Sequence, residues 1–131
     1  MNIDFAILQV ESQGNDDAIG DTNLPQHAYG PMQIRQMYCD DVNRVYGTKF
    51  QAKQLLGRRS LSLAVFWLYM SIYATSAQLG RPVTNEDRAR IHNGGPSAWN
   101  ANSTNPVVKK LYAATTPYWN KVKAQMASGS A

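Results

Sequence analysis

One cysteine in 131 residues leaves this chain with no internal disulfide and no cysteine-built zinc cluster. Cys39 stands in no motif that would make it a nucleophile, and it reads as a small buried hydrophobe. Charge is sparse as well: 17% of residues are Asp, Glu, Lys or Arg against 44% hydrophobic, the balance of a globular chain held together by packing. Met1 leads into mixed sequence without the basic and apolar stretches of a signal peptide. The stretch Leu61 to Ala77 lacks formal charge, but Ser62, Tyr69, Ser71, Tyr73, Thr75 and Ser76 make it too polar for a membrane span. A helix buried on most sides suits it better. There is no internal repeat, no metal-ligand cluster, no glycine-rich phosphate loop and no Ser-His-acid signature. Neither a metal nor a cofactor is expected.

What is present is mostly helical in period. Ile3, Ile7, Val10 and Glu11 share helical spacing in a segment ending near Gly14. Residues Asn15 to Tyr29 are rich in Asp, Asn, Gly and Pro and predict a loop with room for a short hairpin. Met37, Tyr38, Val42 and Val45 predict a helix stopping at Gly47. Ser60 is placed to cap one long apolar helix running to Leu79, and Thr84 with Asp87 forms a capping-box pattern for a helix ending near His92. Asn93 to Pro96 predicts a tight turn, and Pro106 and Pro117 each suit the first turn of a late helix. The tail at 127–131 is small and polar and reads as flexible.

The formal charge is +4, which favours polyanions such as nucleic acid or the acidic polymers of bacterial envelopes. No nucleic-acid motif accompanies it, so no nucleic-acid partner is expected. Glu11 lies eight residues after Ile3 and four after Ile7, at the edge of the apolar stripe. It falls in the last helical turn, where the dipole disfavours a carboxylate. Position alone fits either an ordinary surface glutamate or a carboxyl held protonated for general-acid work.

The surroundings of Glu11 carry a pattern. Glu11-Ser12 is followed by Gly20-Asp21, by Gly30-Pro31-Met32-Gln33-Ile34, by His92-Asn93-Gly94-Gly95-Pro96, and by Tyr118-Trp119. In this order the blocks resemble the lysozyme superfamily, most closely invertebrate-type lysozymes and more loosely goose-type lysozymes and lytic transglycosylases. The resemblance spans about Val10 to Val122. Invertebrate-type lysozymes are dense in cysteine and this chain is not, which points to a phage or bacterial relative.

The resemblance implies a mostly α, lysozyme-like domain over residues 1–126, with a central buried helix and a small loop or β-hairpin lobe. It implies a muramidase, a bacteriolytic glycoside hydrolase cutting the β-1,4 bond between N-acetylmuramic acid and N-acetylglucosamine. Glu11 would be the acid, and Asp21 the second carboxylate that forms the glycosyl intermediate or positions water. Asp16 and Asp17 are rival carboxylates that read better as solvated loop residues. Tyr29, Gln33, His92 and Asn93 would bind substrate. Gln33 could equally bond loop backbone, and His92 could equally serve its helix end. Tyr29, Trp99 and Trp119 suit stacking on sugar rings, although Trp119 also has the spacing of a core residue. The expected partners are peptidoglycan strands, or chitooligosaccharides, met by a monomer in the periplasm or outside the cell. Delivery would be by phage, specialised export or a larger precursor. Two other readings remain beside hydrolysis: lytic transglycosylation by Glu11 alone, giving 1,6-anhydro products, and a non-catalytic cell-wall-binding module on the same scaffold.

Overall fold

The structure, a computed structural model, describes residues Met1–Gly129. It is mostly α, with one two-stranded antiparallel sheet. The elements in chain order are α1 (Ile3–Ser12), β1 (Ile19–Gly20), β2 (Ala28–Tyr29), α2 (Gln36–Tyr46), a 3₁₀ turn (Ala52–Leu55), α3 (Arg59–Tyr73), α4 (Ser76–Leu79), α5 (Asn85–Gly94) and α6 (Pro106–Gly129). They divide into two compact units, Ile7–Ile72 and, separately, Met1–Ala6 with the chain from Tyr73 onward. No helix among the described residues is long and apolar enough to cross a membrane.

In the unit Ile7–Ile72, α3 buries Ser62, Val65, Phe66, Tyr69 and Met70. Their spacing of three and four residues marks one face of a helix, and Ser62 sits on it because its hydroxyl donates to the carbonyls of Arg58 (2.8 Å) and Leu55 (3.3 Å). The outward side of α3 carries Trp67 at 41% exposure, so the helix is amphipathic despite lacking charge. α2 buries Cys39 and Val42 and stops at Gly47, whose φ of 67° is the left-handed cap expected there.

Between α1 and α2 the chain makes a hairpin, pairing Ile19 with Tyr29 and Gly20 with Ala28. Tyr29 then exchanges both backbone bonds with Ile34 (3.0 and 3.1 Å), which closes Gly30 to Gln33 into a tight turn. Gly30 has a φ of 78°, and a Cβ there would lie 2.6 Å from the Leu55 carbonyl oxygen. Loop Gly14–Asp17 is held to the start of α3 by Arg59, which donates to Asp16 at 2.7 Å and to the Gly14 carbonyl at 2.8 Å.

In the other unit the box at Thr84 forms as expected: Asp87 N–H donates to the Thr84 hydroxyl, and the Asp87 carboxylate accepts from Thr84 N–H at 2.8 Å. Three expectations are corrected. The long helix capped by Ser60 is two helices, because Thr75 adopts extended backbone and its hydroxyl accepts from Gln78 N–H, starting α4 afresh; Ser60 lies inside α3. The tight turn at Asn93–Pro96 begins later, since α5 runs through Gly94. Pro117 starts no helix: it lies inside α6. α6 also carries residues 127–129 of the expected tail, while 130 and 131 lie outside the described residues.

Gly30→Ala is expected to destabilise the fold by about 2 kcal/mol or more, combining a left-handed φ with a backbone collision. Urea denaturation would measure this; a change within ~0.5 kcal/mol would show that the turn relaxes around a side chain.

Candidate functional site

The residues singled out around the family-like blocks divide between the two units. Glu11, Asp21, Tyr29 and Gln33 belong to Ile7–Ile72, and His92 and Asn93 to the other. Glu11 occupies the last turn of α1 and is half-buried. Its nearest chemical consequence is on Tyr38, whose phenol is pushed well above its ordinary range by burial, then by Tyr69, then by Glu11. Tyr38 and Tyr69 stack with ring centres 3.6 Å apart and planes within 10°. In the sequence Tyr38 lies on an apolar stripe, with no sign that the charge of Glu11, in another helix, acts on it.

Asp21 follows β1 with a φ of 54°. Its Oδ2 accepts from Arg35 Nε at 2.9 Å and Nη2 at 2.6 Å, so this carboxylate is already engaged by a guanidinium. Both side chains are more than a third exposed, so solvent screens the pair and its worth is small. Arg35 was missed, since fourteen residues separate it from Asp21 and no motif joins them. Asp16 is likewise paired, with Arg59, and Asp17 is exposed.

Gln33 points its amide inward, as either of its expected roles required. Its Nε2 donates to the carbonyls of Ala18 (3.1 Å) and Gly30 (3.0 Å), which is the backbone-bonding role. The Oε1 crosses so close to Gly20 that a Cβ there would meet it at 2.2 Å, which explains the glycine before Asp21. Tyr29 is half-buried, 6.2 Å from the His27 ring, and both line a small cleft with Lys53.

On α5, His92 is buried at 9% exposure and Asn93 is exposed. Gly94 follows because α6 comes close: a Cβ would sit 2.6 Å from Thr115 Cγ2 and 2.8 Å from Ala98 Cβ. Trp99 lies beneath the Arg81 guanidinium at 5.5 Å, and Trp119 is half-buried. Burial alone would raise the Asp87 carboxyl, but Arg81, with bonds of 2.7 and 2.8 Å, and the Thr84 N–H and hydroxyl hold it below the ordinary range. Cys39 is free and buried, as expected, and burial followed by the nearby Asp40 pushes its thiol up to about 12. The described residues hold no group of three His, Cys, Asp or Glu side chains able to bind a metal.

No protein-family model and no curated protein matches the chain. Among solved structures, it is similar to a chain in the crystal structure of Aeromonas hydrophila PliI in complex with Meretrix lusoria lysozyme. The identity is 25% and the TM-score 0.67, covering 93% of this chain and 86% of the other. This likeness corrects the expectation of a muramidase, in either its hydrolytic or its transglycosylating form, and with it the bacteriolytic role. The matched structure is of two proteins in complex, PliI and a lysozyme, and that is the finding that overturns the expected cleavage of peptidoglycan. The tasks expected of Glu11 and Asp21 were steps of that reaction.

Asp87 contributes stability that is present above the unfolded carboxyl value of ~3.9 and lost as pH falls through its lower folded value. The Tm gap between wild type and Asp87→Asn is expected to be wide near neutrality and to close in acid; a gap independent of pH would contradict the ion pair. Cys39 runs the other way: above the unfolded thiol value of ~8.5 the unfolded chain loses its proton first, so stability falls with rising pH. Cys39→Ala is expected to flatten that slope, and the native thiol to ignore a disulfide reagent at about pH 8 until denatured.

Proposed function

We propose that this chain is a lysozyme-like scaffold that works by recognising a protein, as one member of a pair of the PliI–lysozyme kind. The observation that carries this reading is the likeness over 93% of the chain to a component of that complex. The surface of the unit Ile7–Ile72 supports it. Ile19, Leu24 and Met37 are 48%, 40% and 67% exposed, and the Met37 N–H is bonded by Gln26 at 3.2 Å, which ties the loop bearing Leu24 to the start of α2. The same unit carries Tyr29 and Arg35, and Met, Tyr and Arg are residue types enriched at recognition surfaces. A positive net charge would speed encounter with an acidic partner. Such a partner would be met at the bacterial envelope, in the periplasm or outside the cell.

The test is direct binding of the purified chain to Meretrix lusoria lysozyme and to Aeromonas hydrophila PliI by calorimetry, alongside a peptidoglycan turbidity assay. One of the two proteins is expected to bind with a Kd of about 1 μM or tighter. If it is the lysozyme, its clearing of peptidoglycan should slow as the chain is added. The chain alone should leave turbidity unchanged between about pH 4 and 8. Binding to neither protein would overturn the reading. So would clearing by the chain alone that Glu11→Gln abolishes.

A further inference from the structure

The loop before β2, the first turn of α2 and the 3₁₀ turn enclose a cleft of about 290 Å³. Pro25 and Ala52 supply apolar wall. Two of its polar residues are already committed to the fold. Gln26 Oε1 accepts from Met37 N–H, while Gln36 accepts from Ala52 N–H at 2.8 Å and donates to Asp40 at 3.0 Å and to the Phe50 carbonyl at 3.3 Å. The other three are different. Among the described residues, the His27 ring, the Tyr29 hydroxyl and the Lys53 ammonium have no hydrogen-bond or ion-pair partner, and all three residues line the cleft. Concave sites with apolar walls and a few polar groups not engaged elsewhere in the protein are where ligands bind.

The charge identifies the ligand class. No lining residue is acidic. The carboxylates nearest in the chain are occupied, Asp40 by Gln36 and Asp21 by Arg35. Lys53 is therefore an uncompensated cation beside a phenol and an imidazole that can donate hydrogen bonds. We infer that this cleft receives a carboxylate side chain, Asp or Glu, from an exposed loop of the protein partner. The volume is near the lower bound of ~300 Å³ for small-ligand clefts, which fits a single side chain with its flanks. The identity of the occupant rests on the protein-recognition reading; the carboxylate preference rests on the cleft alone. Pairing in a partly desolvated slot gives register and specificity to the complex.

The probe is a capped Gly-Glu-Gly tripeptide, titrated into ¹⁵N-labelled protein against a capped Gly-Gln-Gly control. Amide shifts confined to residues 26–29, 36 and 52–53 are expected with the Glu peptide. The Gln peptide should bind at least about fivefold more weakly, and Lys53→Gln should remove that difference without lowering Tm, because Lys53 is exposed. Shifts elsewhere, or equal response to both peptides, overturn the inference. The protein partner gives a separate arm: if it binds wild type and Lys53→Gln equally, the carboxylate slot fails while protein recognition stands. If it binds neither, recognition fails and the peptide titration still decides the slot.

Discussion

The Ala18 carbonyl accepts from two donors at once, the Gly30 N–H at 2.9 Å and the Gln33 Nε2 at 3.1 Å. Both of its lone pairs are used, so a carbonyl at the base of a short hairpin needs no water. Much of the unit Ile7–Ile72 depends on that point. The Gln33 amide also grips the Gly30 carbonyl, so one side chain joins the residue before β1 to the turn after β2. To bring the amide inward, Gln33 takes a φ of 52°, and Gly20 must lack a Cβ where Oε1 passes. Gly30 must lack one too, because the Leu55 carbonyl lies against it. Gly20 and the left-handed Gln33 thus follow from one hydrogen-bonding requirement, while Gly30 answers to the Leu55 carbonyl. A two-residue strand pair could not hold this geometry by its own ladder.

That requirement explains why part of the architecture was legible in the sequence and part was not. Local chemistry read well. Gly47 as a left-handed stop and Thr84 with Asp87 as a capping box depend on neighbours within four residues, and both stand as expected. The hairpin was legible only as a loop with room for one, since its register is set by Gln33, fifteen residues from Ala18. Among the singled-out residues, the family-like blocks drew attention to Gln33 and to Gly94, yet each has a structural reason visible only in three dimensions. Gly94 is small because α6 lies against it. The Arg35–Asp21 pair and the influence of the Glu11 charge on Tyr38 link separate elements and leave no periodic trace.

The unit containing α5 and α6 shows how tertiary chemistry overrides a local rule. Proline inside a helix removes one backbone donor and crowds the preceding turn, at a cost of ~3 kcal/mol, so a helix start at Pro117 was the reasonable expectation. The chain instead continues through it, and the turn before Pro117 carries side-chain bonds as well. The Tyr112 carbonyl accepts from Arg90 at 2.6 Å, Thr116 at 2.9 Å and Thr115 at 3.1 Å. Arg90 is 2% exposed, also bonds Thr115 and Thr116, pairs with Glu86 and lies 3.7 Å over the Tyr112 ring. A buried guanidinium is tolerated only with such complete pairing. Arg90 lies in the same helix as His92 and Asn93, so the part of α5 that looked functional in sequence is bounded by residues fixed by packing.

Polar groups divide the same way across the molecule, and the division bears on function more than any motif does. Asp21, Asp16, Asp87 and Glu86 each face a guanidinium, and the amides of Gln33, Gln36 and Gln26 are bonded to backbone. A side chain so engaged must break a bond before it can meet a ligand, and that loss offsets what the ligand offers. His27, Tyr29 and Lys53 carry no such prior engagement, and they stand together. Binding there adds contacts without removing any, so the favourable place for a new carboxylate is the cleft beside β2 rather than the loop around Asp21, where an acidic group would have to displace one already held by Arg35.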